Sequence, residues 1–378
     1  MPENRSRTIT VLGCGGFIGS HLLEALLSTT DFEVLGADLS SKKIVHLIDH
    51  ERFTFYETDI HDPGAVMPLL KLSGTVVSLA ALCNPWLYNH TPVAVIESNF
   101  VRMYPLVQAC SECNCRLVHF STSEVYGKTL GTAAGVAGDD PSLFLLNEEN
   151  SPLLLGPVHA QRWCYASAKQ LLERTIFAYG YERGLDYTIV RPFNFIGPQM
   201  DFIPGIDGEG VPRVIACFMD ALLHGRPLQL VDGGKNKRCF TAISDAVDAT
   251  VKIIRQPDAA RGGIFNIGNP GNETTIADLA GKMIELYHEF VTAEADRHPS
   301  IENVTADEFY GDGYEDSDRR VPDISGAVER LGWHPEVDLT TALRLTVEGF
   351  VKEYGAENQE NGDVGGYPVN GASEKDNG

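Results

Sequence analysis

Short runs of β-branched and apolar residues alternate with amphipathic stretches through the first half of the chain. Thr8-Ile-Thr-Val-Leu12 opens the series, followed by glycines and a helical stretch from Ile18 to Leu27. Glu33–Asp38, Phe53–Asp59, Thr75–Ala80 and Leu117–Ser121 continue it, with one long helical stretch predicted between the last two. Strands that are apolar almost throughout, separated by helices, predict a parallel sheet covered on both faces. A sheet with one wet face would instead alternate polar and apolar positions.

The pattern breaks between Lys128 and Val158 into Gly, Pro and acidic residues, which predicts loop. Helical periodicity returns at Trp163–Tyr179, then a strand at Tyr187–Pro192, a Gly/Pro-rich loop, a helix at Val214–Leu223 and a strand at Leu228–Val231. Ile264–Gly268 predicts a further sheet member, and Thr275 with Asp278 three residues on predicts a capped helix start. Helical stretches near Ala327 and Ala342 complete the chain. The fold class expected is α/β: a Rossmann doubly wound parallel sheet with a smaller C-terminal α/β substrate lobe. The dinucleotide domain would span residues 1–190 and the lobe 191–354, with about 235–270 returning to the first sheet. Residues 355–378, rich in Gly, Asn, Glu and Asp, predict a disordered acidic tail.

Composition narrows the partners. The 378 residues carry a formal net charge of −22, which repels the phosphates of nucleic acid and of an acidic membrane surface. A phosphate-bearing small ligand remains compatible, because it reads local charge and backbone N–H groups. No apolar run of membrane-spanning length and no secretory leader pattern is present, which predicts a cytoplasmic protein. Cys110, Cys113, Cys115 and nearby His119 resemble a metal set, yet no second CxxC completes it. Reduced structural thiols and no metal are expected.

Candidate chemistry begins at Gly13-Cys-Gly-Gly16-Phe17-Ile18-Gly19, which follows the first strand and opens a helix. Glycines at 13, 16 and 19 allow a tight turn and close approach of a pyrophosphate to the helix N-terminus. Asp38, ending the second strand, is placed to hold ribose hydroxyls and would repel a 2′-phosphate, so the cofactor expected is NAD. Asp59 and Ile60, after the third strand, would reach the adenine. Tyr165 and Lys169 stand one helical turn apart on one face. An ammonium and a positive nicotinamide beside the phenol favour its phenolate, which would take a proton from a sugar hydroxyl. Ser121-Thr-Ser-Glu-Val-Tyr-Gly127 ends the preceding strand at the carboxyl edge, where such sheets bind ligands.

Together with Arg162-Trp163, Arg191-Pro-Phe-Asn-Phe-Ile-Gly-Pro198, Asp232–Thr241 and Gly313–Pro322, these stretches resemble the extended short-chain dehydrogenase/reductases over residues 8–354. The likeness is greatest to the branch that decarboxylates UDP-glucuronate. It implies Tyr165 as base for the sugar 4-hydroxyl, Lys169 tuning it, and Thr122 sharing the hydrogen bond. It implies Ser123 and Glu124 where sugar dehydratases carry an Asp-Glu pair, and Arg320 near the substrate carboxylate as a bidentate clamp. Asn194, Arg213, Lys237 and Arg238 would meet the diphosphate and uracil, and Pro85, Tyr88 and Arg162 the sugar. Cys83 matches a cysteine of plant ring-contracting members, whereas Ser123 stands where those members have a second cysteine.

The resemblance thus implies oxidation of a UDP-linked uronic acid at C4, loss of carbon dioxide, and UDP-4-keto-pentose, UDP-xylose or UDP-apiose as product. Epimerisation or dehydration of another nucleotide sugar is the alternative within enzymes, and a non-catalytic NAD sensor the alternative outside them. For Arg320 the structural alternative is a surface ion pair with Asp316 or Asp318. The same likeness implies a homodimer through helices near 93–110 and 163–179.

Overall fold

The computed structural model describes residues 5–136, 140–208, 210–291, 299–310 and 315–355. The expected tail, from residue 356 onward, lies outside the described residues.

Seven strands form one sheet, in spatial order Gly263–Ile267, Tyr187–Pro192, Arg116–Phe120, Thr75–Ser78, Thr8–Leu12, Glu33–Asp38 and Phe53–Glu57. Every neighbouring pair is parallel. The chain builds outward from Thr8–Leu12 in one direction, then resumes beside it at Thr75–Ser78 and builds in the other. That reversal opens a crevice at the carboxyl ends of the two strands.

All five residues of Thr8–Leu12 and of Arg116–Phe120 are buried, because helices cover both faces. On one face Ile9 and Val11 pack with Leu22, Leu23 and Leu26 of helix Phe17–Thr29 and with Ile253 of helix Ile243–Arg255. On the other, Leu12 and Val76 pack with Leu70, Leu106, Leu172 and Ile176. Each such side chain contributes about 1.5–3 kcal/mol relative to exposure.

The long helix predicted between the fourth and fifth strands is broken into Pro85–His90, Pro92–Ile96, a π-turn at Glu97–Val101, and Tyr104–Glu112. Prolines sit in the first turn of the three α-helical pieces, where the missing N–H costs nothing but where an unbroken helix could not continue. The π-turn carries buried Asn99, whose amide donates to the carbonyls of Leu82 and Val95, both at 2.9 Å. The segment expected as pure loop also differs: it holds a short helix, Leu130–Ala134, and a two-residue strand, Leu145–Leu146.

The smaller lobe has its own core around Ile215, Met219, Leu228, Met283, Leu343 and Phe350. A second sheet runs in the order Glu273–Thr275, Lys237–Cys239, Arg319–Pro322, Leu145–Leu146. Its central pairing is parallel and sets Lys237 opposite Arg319 and Arg238 opposite Arg320. Leu228–Val231 pairs with Ile301–Val304 in a separate two-stranded ribbon. Thr275 accepts a hydrogen bond from the Asp278 N–H at 2.9 Å, capping helix Ile276–Phe290 as its spacing predicts. Among the described residues no helix is long and apolar enough to cross a membrane.

Helix Cys164–Arg183, which carries Tyr165 and Lys169, is fastened to the sheet by a buried ion pair. Arg191 donates from Nε and Nη2 to the two oxygens of Glu173, at 3.1 and 2.7 Å. Removing one partner strands the other charge in the core. Glu173→Ala is therefore expected to cost about 3–5 kcal/mol of stability, read as a lower urea midpoint; an unchanged midpoint contradicts this role.

Candidate active site

The glycine turn bears two kinds of constraint. Gly13 has φ of 87°, and a Cβ there would meet the Ala80 nitrogen at 2.8 Å. A Cβ on Gly19 would lie 2.2 Å from the Gly13 carbonyl oxygen, so this glycine is required for the turn to pack against its own helix. Gly16 is different. Its nearest neighbour would be the Gly13 oxygen at 3.4 Å, an ordinary contact, so the protein itself does not demand glycine there. Gly16 is also the N-cap of helix Phe17–Thr29 and offers no side-chain cap. The first N–H groups of that helix and the bare Gly16 backbone form a cradle suited to a pyrophosphate.

Asp38 is held in place beside that cradle. Its Oδ2 accepts from the Gly15 N–H at 2.9 Å and its Oδ1 from the Leu39 N–H at 2.7 Å. Gly15, absent from the sequence-based set, thus orients the Asp38 carboxylate; its place as the first glycine of Gly15-Gly16 was the available signal. Its own Cβ would strike the Ser40 carbonyl oxygen. Asp59 bonds the backbone and ring of His61, at 2.9 and 3.0 Å, next to half-buried Ile60. Phe17 and Ile18 are partly buried at the start of the helix. These residues fit NAD: helix N-terminus and glycines for the pyrophosphate, Asp38 for the ribose.

Across the crevice, Thr122 follows the fifth strand and caps the short turn Ser123–Tyr126, accepting from the Glu124 N–H at 3.1 Å. Tyr165 is only 4% exposed, and the nearby Thr122 side chain eases ionisation of its phenol. Lys169 is buried, and its ammonium donates to the Phe120 carbonyl at 3.1 Å. Burial pulls its pKa down to about 8, against the opposing charges of Cys83 and Glu173. Burial also pushes the Tyr165 phenol well above its usual range, with Cys83 and Glu124 adding to the rise and Thr122 and Arg213 opposing it. Among this chain's own groups desolvation outweighs the nearby cations and favours the protonated phenol; the expected phenolate counts the nicotinamide's charge as well.

Beyond Tyr165 opens a cavity of about 580 Å³, whose walls include Cys83, Pro85, Glu124, Arg162, Asn194, Arg213, Arg238 and Arg320. Arg162 donates to Glu124 Oε2 at 2.6 Å, and its guanidinium lies 5.3 Å from the centre of the Tyr88 ring. Tyr88 in turn stacks on Tyr165, with ring centres 5.0 Å apart and planes 9° from parallel. Tyr88 is therefore a buried backing for the phenol and is not among the cavity-lining residues. Cys83, expected as either a buried filler or a site group, is exposed on the cavity wall; the protein mass around it pushes its thiol up, so it stays protonated. Arg213 pairs with Asp201 at 3.0 Å, and the Asn194 amide donates to the Cys239 carbonyl at 3.0 Å. Ser123 is buried.

Strand alternation divides the basic residues. Arg238 and Arg320, side by side in the register, both line the cavity; Lys237 and Arg319, one residue earlier, fall on the opposite face. Arg319 there bonds Glu273, and Lys237 does not line the cavity. Arg320 does pair with Asp316, at 2.8 Å, but far from the surface: its side chain is 6% exposed. Its Nε is buried with no partner among the described residues. Asp316 also accepts from Arg238 Nη2 at 2.7 Å and lies 3.7 Å from Arg162 Nη2. Sequence alone signalled this carboxylate only as a surface partner at i, i+4. Trp86, Phe218, Gln229 and Phe309 also line the cavity without having been singled out. Cys115, in the three-cysteine segment, donates to the Leu70 carbonyl, and Arg5 donates to its sulfur.

A dinucleotide cradle at the sheet's switch point, a buried tyrosine–lysine pair and an arginine-lined cavity define an enzyme of the short-chain dehydrogenase type. The chain belongs to the NAD dependent epimerase/dehydratase family, whose model matches residues 9–268. It is 47% identical over 351 residues to UDP-D-apiose/UDP-D-xylose synthase 1 of Arabidopsis thaliana, covering 90% of each chain. It is 46% identical over 358 residues to UDP-D-apiose/UDP-D-xylose synthase of Oryza sativa subsp. japonica, covering 92% of this chain and 90% of that one. Among solved structures it resembles PbgP3 protein from Burkholderia pseudomallei, with a TM-score of 0.80 and 35% identity over 94% of this chain and 98% of that one.

Gly16 and Gly19 separate binding from folding. Gly16→Ala should leave the melting temperature unchanged and weaken NAD binding about tenfold or more, measured by titration calorimetry, whereas Gly19→Ala should lower the melting temperature itself. Equal effects of the two on stability would contradict the cradle.

Proposed function

We propose that this enzyme decarboxylates UDP-glucuronate through a 4-keto intermediate, with NAD as cofactor. The observation that carries the proposal is Arg320: a cavity-lining guanidinium, buried, whose Nε–H has no partner among the described residues. A buried unpaired donor of this kind is costly unless a ligand acceptor completes it. A uronic acid carboxylate does so.

Bound NAD accepts hydride from C4 and can return it. The chain's own residues supply the remainder. Thr122 and Tyr165 receive the C4 hydroxyl, and Tyr165 takes its proton. The positive charge of an oxidised nicotinamide held by the glycine turn and Asp38 would favour the phenolate. Lys169, close to neutrality in pKa, passes or holds a proton behind it. The resulting β-keto acid loses carbon dioxide as the ketone accepts the C5–C6 electron pair, and C5 is then protonated. Returned hydride gives UDP-xylose; without it UDP-4-keto-pentose leaves with NADH. Cys83 stands on the cavity wall as a protonated thiol, and UDP-apiose stays among the products this reading allows.

Dehydration of another sugar is disfavoured by the same geometry. Ser123 stands where an acid is required, and Glu124 is engaged by Arg162 at 2.6 Å. Purified enzyme given UDP-glucuronate and NAD should convert it to a decarboxylated UDP-pentose, followed by mass spectrometry. Arg320→Ala should lower kcat/KM on it by about a hundredfold or more. Unchanged substrate with the native enzyme, or full activity in Arg320→Ala, overturns the proposal.

Eight free thiols suit a reducing compartment, which supports a cytoplasmic location. Val93, Val101, Leu171 and Phe177 are each about half exposed or more, on the adjacent helical segments Pro92–Glu112 and Cys164–Arg183. Such an apolar surface supports a homodimer through these helices. Light scattering should give a dimer for the native chain and a monomer for Phe177→Lys; a monomeric native chain contradicts this.

A further inference from the structure

Arg238 and Arg320 are cross-strand neighbours on one face of the small sheet, and both project to the cavity. Like charges placed directly opposite one another repel, and more so away from water. Asp316 lies between them. Its Oδ1 takes Arg320 at 2.8 Å and its Oδ2 takes Arg238 at 2.7 Å, while the Ser317 N–H, at 2.8 Å, holds Oδ1. The carboxylate is itself part of the cavity wall. The three guanidiniums around it hold Asp316 ionised far below the usual carboxylate range, despite burial. It is therefore a fixed negative charge beside the group that receives the substrate's acid.

Decarboxylation makes particular demands on that neighbourhood. The C5–C6 bond breaks, its electron pair passes to the C4 carbonyl as an enolate, and C6 leaves as neutral carbon dioxide. The ketone comes from the preceding C4 oxidation, with hydride taken by NAD; the enolate then takes a proton at C5, supplied by water. Negative charge thus moves from the substrate's carboxylate to its C4 oxygen, away from the arginines. An interaction stronger in the bound acid than in the transition state raises the barrier. Two full guanidinium charges on the carboxylate would hold it too well.

We propose that Asp316 is a positioning residue that also tempers the arginine clamp: it aims Arg238 and Arg320 at the substrate carboxylate while cancelling part of their charge, so the acid is recognised yet free to leave. The inference rests on the decarboxylase function proposed above. It makes the unusual expectation that removing a charge tightens binding and slows chemistry together.

The test is steady-state kinetics of Asp316→Asn on UDP-glucuronate, with calorimetric binding of UDP-glucuronate and of UDP-xylose, which has no carboxylate. KM and kcat are each expected to fall about tenfold, leaving kcat/KM nearly unchanged. Affinity for UDP-glucuronate should rise relative to UDP-xylose. A raised KM, or equal changes in the two affinities, overturns the proposal, because a merely structural role would loosen both ligands. If Asp316→Asn does not fold, Asp316→Ser, shorter and neutral, carries the same expected signs. Failure of the native enzyme to turn over UDP-glucuronate would instead indict the decarboxylase function itself.

Discussion

Two arginines on adjacent strands, both lining the same cavity, repel one another, and the carboxylate between them offsets that repulsion. At an effective dielectric of about 20, unit charges about 4 Å apart repel by about 4 kcal/mol, comparable with much of a domain's net stability. Asp316 resolves this conflict, and in doing so ties together parts of the chain that are distant in sequence. Arg162 belongs to the turn before the Tyr165 helix, Arg238 and Arg320 to two strands of the smaller lobe. The cavity exists because this network joins them.

The same network reaches the proton-transfer group. Arg162 faces the Tyr88 ring, and Tyr88 stacks on Tyr165. Thr122 also acts on Tyr165, easing its ionisation, while Lys169 is anchored to the fifth strand. Burial dominates these groups: it favours the protonated phenol and draws the lysine down to about 8.

Much of this was legible in the residues. Near-continuous apolar strands announced a sheet covered on both faces, and Gly13 to Gly19 with Asp38 announced the cradle. Tyr165 and Lys169 share a helical face by spacing alone. What escaped was tertiary. Period-two alternation separates Lys237 from Arg238, but the strand is three residues long, too short to announce itself. The burial of Asp316 depends on pairing between residues about 80 apart in sequence. Tyr88 was seen as a wall of the sugar site because aromatic stacking on Tyr165 has no local signature. The broken helices between Pro85 and Glu112 were marked by their prolines, whose meaning was overridden by apolar periodicity.

The most direct test is a crystal structure of Tyr165→Phe, which retains the ring but not the base, with NAD and UDP-glucuronate bound. The substrate carboxylate should accept a hydrogen bond from Arg320 Nε, and the C4 hydroxyl should lie against Thr122 and the ring of residue 165. A carboxylate turned away from Arg320, with Asp316 and the three arginines undisturbed, would contradict the account.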